Sequence, residues 1–151
     1  MEELSESCKK NRVIVLVDAV DRLAIHGLKY AKTISEDITA FSVVTKKDSE
    51  ADMFALWNKL NTRIPYVIRN SAGEKTADVL LKYIHSPEYG LSSEDNILVV
   101  LPQLVLKNWW QRMLRYRDNQ YTGHLLKKHG TISIVILLYY LEEENKAVLA
   151  Q

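Results

Sequence analysis

The stretch Arg12-Val-Ile-Val-Leu-Val-Asp18-Ala-Val-Asp21-Arg22 constrains this chain more than any other. Val13 to Val17 is an unbroken run of β-branched residues and leucine, which suits a strand buried on both faces. An acidic residue closes the run. Helical spacing starts at once, with apolar residues at Val20, Leu23, Ala24, Leu28, Ala31 and Ile34. A buried strand that turns straight into a helix is the opening unit of a parallel α/β sheet.

The rest of the chain repeats that unit. Ile38 to Val44 reads as a second strand. A helix follows from Glu50 to Leu60, capped by Asp48 or Ser49, with Met53, Leu56, Trp57 and Leu60 on one face. Ile64 to Ile68 is a third strand. Pro65 cannot donate to a ladder, so this strand belongs at a sheet edge. Glu74 to Ile84 is a third helix, ended by His85-Ser-Pro87. Asn96 to Leu101 is a fourth strand, and Trp109 to about Lys128 a fourth helix with Gly130 as its C-terminal cap. Thr131 to Leu141 is a fifth strand. The alternation predicts a three-layer α/β/α sandwich around a parallel sheet. With 151 residues one domain suffices. It spans 12–141, between a disordered or tag-like tail at 1–11 and a polar tail at 142–151.

Much is excluded. Net charge is +1, so nothing argues for nucleic acid as a partner. The single cysteine, Cys8, permits no internal disulfide. Ile132 to Leu141, the longest apolar run, is too short to span a bilayer. There is no Walker glycine run and no dinucleotide fingerprint after the first strand. His124 and His129 are five apart and do not share a helix face. No zinc site, nucleophile–base pair or carboxylate pair emerges, so neither a metal site nor an enzyme is expected.

Three features carry a functional reading. Asp18 ends strand one, where a carboxylate can accept from an adenine amino group or a ribose hydroxyl; the bland alternative is a cap for the first helix. Pro102-Gln103 begins the segment after strand four, at the same sheet edge. That segment runs on through Lys107, Trp109, Trp110, Arg112 and Arg115. Adjacent helix positions diverge by about 100°, so one tryptophan belongs to the core and the other can form a platform. Arg112 and Arg115 share a face. Aromatic and guanidinium groups together suit a base and a phosphate; a core tryptophan beside a solvated basic face is the alternative. The third feature is strand five, whose apolar edge would aggregate unless paired with a copy of itself.

On these residues the chain resembles the universal stress protein fold. It is more similar to the variant found at the cytosolic C-terminus of transporters of the amino-acid-permease superfamily, including KimA-type potassium importers. The resemblance rests on Val-Ile-Val-Leu-Val-Asp18 with Leu28-Lys-Tyr-Ala31, on Ser35-Glu-Asp-Ile-Thr-Ala40, and on Val99-Val-Leu-Pro102-Gln with Asn108-Trp-Trp-Gln-Arg112. It implies strand order 3-2-1-4-5, a homodimer through strand five, and a place on the cytoplasmic side of a membrane, joined to a transporter domain of the same polypeptide. ATP-binding members carry glycines after strand four. This chain has Pro102-Gln-Leu-Val-Leu-Lys107 there, which cannot cradle a triphosphate as closely.

The resemblance therefore implies cyclic di-AMP as ligand ahead of ATP or AMP, with no cofactor. Asp18, Ala19 and Val20 would frame an adenine, and Val44 and Thr45 would meet the base or ribose. Arg22, Arg69, Arg112 or Arg115 would meet phosphates. The alternative is a structural dimerisation module whose cleft is vestigial and filled by Trp109 or Trp110. A nucleotidyl-transferring or hydrolysing enzyme is the weakest reading.

Overall fold

The computed structural model describes residues 11–46, 48–92, 95–105 and 132–140. Five strands form one all-parallel sheet: β1 (Asn11–Leu16), β2 (Ile38–Val44), β3 (Tyr66–Asn70), β4 (Asn96–Val105) and β5 (Ile132–Tyr140). Their order is β3-β2-β1-β4-β5, as expected, with β3 and β5 at the edges. Three helices lie among the described residues: α1 (Arg22–Lys32), α2 (Asp48–Lys59) and α3 (Thr76–Ile84). The expected fourth helix and its Gly130 cap fall outside the described residues, as do both tails, Cys8, His124 and His129.

The β1 run is buried on both faces because helices cover both. On one side Val13 and Val15 pack with Ala24, Leu28 and Ala31 of α1, Trp57 of α2 and Val100 of β4. On the other, Ile14 packs with Phe41, Val99 and Leu80 and Ile84 of α3. Each face excludes water from side chains that alternate along the strands. His26 of α1 stacks on Tyr139 of β5 at 4.9 Å between ring centroids, which ties the first helix to the last strand.

Several boundaries differ from the sequence reading, each for a local reason. The first helix begins at Arg22 rather than Val20, because Asp21 takes the cap: its carboxylate accepts from the Ala24 amide at 3.0 Å. The capping role considered for Asp18 belongs to Asp21. The third strand starts after Pro65, whose carbonyl accepts from the Ala40 amide. The third helix opens at Thr76, behind a turn where Ala72 and Gly73 both have positive φ. In α2, Leu56 is 45% exposed instead of facing the core. Trp57 anchors that helix by meeting the Tyr66 ring edge-on at 4.4 Å.

The fourth strand is the largest difference. It runs to Val105, so Pro102 and Gln103 lie within it and do not open a loop. Pairing with β1 ends at Val15↔Val100, whereas pairing with β5 continues through Pro102↔Leu137 to Val105↔Tyr140. The proline stands where the β1 ladder has already stopped. β5, a long partner, carries the strand onward.

Candidate functional site

The strand order reverses between β1 and β4, and ligands in open parallel sheets bind beyond the carboxyl ends of strands at such a reversal. Here the sequence turns through Asp18, Ala19 and Val20 before α1. Asp18 and Ala19 are exposed and Val20 is half-buried. Protein around the Asp18 carboxyl strips part of its water and raises its pKa above the ordinary 3.8, and the Asp21 charge raises it further. Asp21 is committed to the helix cap, and its amide donates to the Ala19 carbonyl at 3.0 Å. Asp18 is thus the carboxylate of this turn that faces solvent without a capping duty.

The turn is anchored from below. The Val17 amide donates to the Phe41 carbonyl at 2.9 Å, and the Val17 carbonyl accepts from Ser42 Oγ at 2.5 Å. Ser42 Oγ in turn lies 2.7 Å from Tyr66 Oη. At the next strand end, the Val44 carbonyl accepts from the Ser71 amide at 2.8 Å, and the Val44 side chain is buried. Val44 therefore offers a ligand neither its side chain nor an unused carbonyl. Thr45 beside it is exposed, as are Arg22 at the start of α1 and Gln103 in β4.

Two expected residues serve elsewhere. Pro102 is buried under α1, where a Cβ built on Gly27 would come within 2.6 Å of its Cγ. It is a packing surface for the helix. Arg69 is paired with Glu88, and its guanidinium lies 5.5 Å from the centroid of Tyr83. It also donates to the Ile68 carbonyl at 3.2 Å. Its charge is engaged on the α3 face. Trp109, Trp110, Arg112 and Arg115 lie outside the described residues. The expected residues at the turn are Asp18, Ala19 and Val20, with Arg22 just past the Asp21 cap.

Sequence reasoning missed three residues, two beneath the turn and one at the opposite end of the sheet. Ser42 and Tyr66 anchor Val17; a lone serine within the apolar run Ile38–Val44 was the available signal. Arg12 is the third. Its guanidinium donates to the carbonyls of Gly90 and Tyr89 at 2.9 and 2.7 Å. It pairs with Asp37 and Asp95 at 3.2 and 3.5 Å, and covers the Tyr89 ring at 3.8 Å. A cleft of about 660 Å³ opens beside it, lined by Arg12, Asp37, Thr39, Val67, Tyr83 and Tyr89 among others. Among the described residues, none of those expected from sequence to bind a ligand lines that cleft.

The described residues hold no group of three or more His, Cys, Asp or Glu arranged for a metal, and no helix long and apolar enough to cross a membrane. The chain matches a family model described as the KimA potassium transporter C-terminal domain, over residues 9–139. It is also similar to the potassium transporter KimA of Bacillus subtilis (strain 168), at 26% identity over 110 residues. That alignment takes in 72% of this chain and 18% of the relative, so the chain corresponds to a small part of that protein's length.

Proposed function

The chain belongs to the family of KimA potassium transporter C-terminal domains, and from that premise we propose that it is a cytosolic regulatory module which dimerises and binds an adenine nucleotide, cyclic di-AMP first, to control the transporter joined to it. The observation that carries the ligand reading is Asp18. It is a solvent-facing carboxylate at the carboxyl end of β1, beside the reversal of strand order, with its partner acid Asp21 spent on the helix cap. Such a carboxylate can accept from a purine amino group or a ribose hydroxyl. Pro102 to Val105 continue β4 and hold no glycine, so this stretch offers no glycine-rich cradle for a triphosphate.

Dimerisation rests on β5. It is an edge strand of nine residues, with Ile136 and Leu138 40% and 41% exposed. Long apolar edges are covered in stable proteins, and a second copy across a two-fold axis covers this one with matching chemistry. The two carboxyl edges would then offer two purine sites and two sets of basic residues to one symmetric ligand. Binding would favour one arrangement of the two domains and so bias the transporter.

A second reading has one observation in its favour. The Val17 and Val44 carbonyls at the candidate edge already have protein donors, as a vestigial cleft would. The module would then serve only to dimerise. Thermal-shift titration with cyclic di-AMP, ATP and AMP separates the two. A saturable rise in Tm with cyclic di-AMP supports the regulatory reading, and indifference to all three nucleotides supports the structural one.

A further inference from the structure

Ser42 is the odd residue of β2. It is 1% exposed in a strand otherwise almost wholly apolar, and a buried hydroxyl is retained only where it is bonded. Its one proton goes to the Val17 carbonyl at 2.5 Å. The 2.7 Å contact with Tyr66 Oη must then run the other way, with the phenol donating to Ser42 Oγ. The result is a directed chain across three strands, from the Tyr66 hydroxyl in β3 through Ser42 in β2 to the last residue before Asp18. Hydrogen bonds in such a chain polarise and strengthen one another.

The accepting carbonyl belongs to the peptide that joins Val17 to Asp18. Holding its oxygen fixes the plane of that peptide, and with it the direction in which Asp18 leaves the sheet. The β1–β2 register ends at Leu16↔Phe41, one residue earlier, so the serine side chain takes over where ladder pairing stops. Tyr66 is itself held by Trp57 at 4.4 Å and Phe54 at 5.5 Å between ring centroids, which sets its hydroxyl from α2.

We propose that Tyr66 and Ser42 are positioning residues for the ligand site, fixing the Val17–Asp18 peptide so that the Asp18 carboxylate is presented to the ligand. The inference rests on the nucleotide reading for its purpose, but the ordering of the turn stands apart from it. Neither residue touches the ligand. Both act through Val17.

The test measures two things on the same proteins: hydrogen exchange of the Val17 and Asp21 amides, which donate to the Phe41 and Ala19 carbonyls, and affinity for cyclic di-AMP. Tyr66→Phe keeps the ring that Trp57 and Phe54 pack against and removes only the donor. Exchange in the turn rises about fivefold in this variant, and more in Ser42→Ala, while β4 amides keep their wild-type rates. Affinity falls by about the same factor. Unchanged exchange at the Val17 and Asp21 amides in Tyr66→Phe overturns the proposal, whether or not Ser42→Ala folds. Faster exchange with unchanged affinity also overturns it, because the turn would then be ordered for no ligand. A wild-type protein that binds no nucleotide sinks the functional reading instead. That failure is told apart by the exchange data, which still report whether the relay orders the turn.

Discussion

Gly27 and Pro102 touch where only a glycine fits: a Cβ at position 27 would lie 2.6 Å from Pro102 Cγ and 3.2 Å from Val15 Cγ1. The first helix therefore rests directly on β4, two strands' worth of core being shared beneath it. Pro102 contributes as a rigid floor for the middle of α1, and the candidate site lies at that helix's N-terminal end, before Asp21.

Gly27→Ala tests that contact. Alanine is the better helix former by roughly 1 kcal/mol, so an open site would be stabilised. Here both near atoms belong to packed side chains, and overpacking costs about 1–3 kcal/mol. Net destabilisation is expected in urea unfolding. Adding Pro102→Ala should recover part of it, giving a coupling energy in a double-mutant cycle. Additive losses would show that the two residues do not share the contact.

Arg12 closes the opposite end of the sheet. Its side chain is 14% exposed and binds two carbonyls, two carboxylates and the Tyr89 ring. Arg12→Ala leaves Asp37 and Asp95 without that partner and should cost roughly 3 kcal/mol. Arg12→Lys cannot reproduce the fork and should recover less than half of the loss. Denaturant midpoints of the three proteins decide this; a lysine variant as stable as wild type would mean that charge alone matters.

Tyr89 makes the domain sensitive to alkali. Burial pushes its phenol from the ordinary 10.0 up to about 12. The fold therefore favours the neutral form, and its contribution is complete below pH 10 and is lost as pH rises towards 12. The hydroxyl is buried, with no hydrogen-bond partner among the described residues. Tyr89→Phe should thus cost little at neutral pH and should flatten the fall in Tm above pH 10. An equally steep fall in the variant would assign alkaline unfolding to other groups.

Asp18 should show the opposing pulls of a functional residue. Its carboxyl pKa lies above 3.8 in the fold, so ionisation is penalised there. That penalty is absent at pH values below 3.8, grows as pH rises through the folded value, and is complete above it. Asp18→Asn should raise Tm at pH 7, lose that advantage in acid, and weaken nucleotide binding. A variant that is less stable at pH 7 would give the residue a structural duty instead.

The β1 run, the alternation of elements and the proline before β3 made the sheet legible from sequence, because a parallel strand covered on both faces has few other ways to be written. The strand order rested on the family resemblance. Asp18 was legible as the residue at the end of that run. Pro102 was not, since a proline after an apolar run reads as a strand end, and only the long pairing of β4 with β5 shows why the strand continues. Arg69 looked available because its partner Glu88 lies 19 residues away. Ser42 was overlooked because its bond to Val17 crosses strands, and local spacing says nothing of such a contact.

The central claim is that this domain reads an adenine nucleotide for its transporter. Isothermal titration calorimetry of the purified chain with cyclic di-AMP tests it most directly. The account predicts saturable binding with one ligand per two chains, weakened in Asp18→Asn, and weaker heats with ATP and AMP. No heat with cyclic di-AMP, ATP or AMP would contradict it.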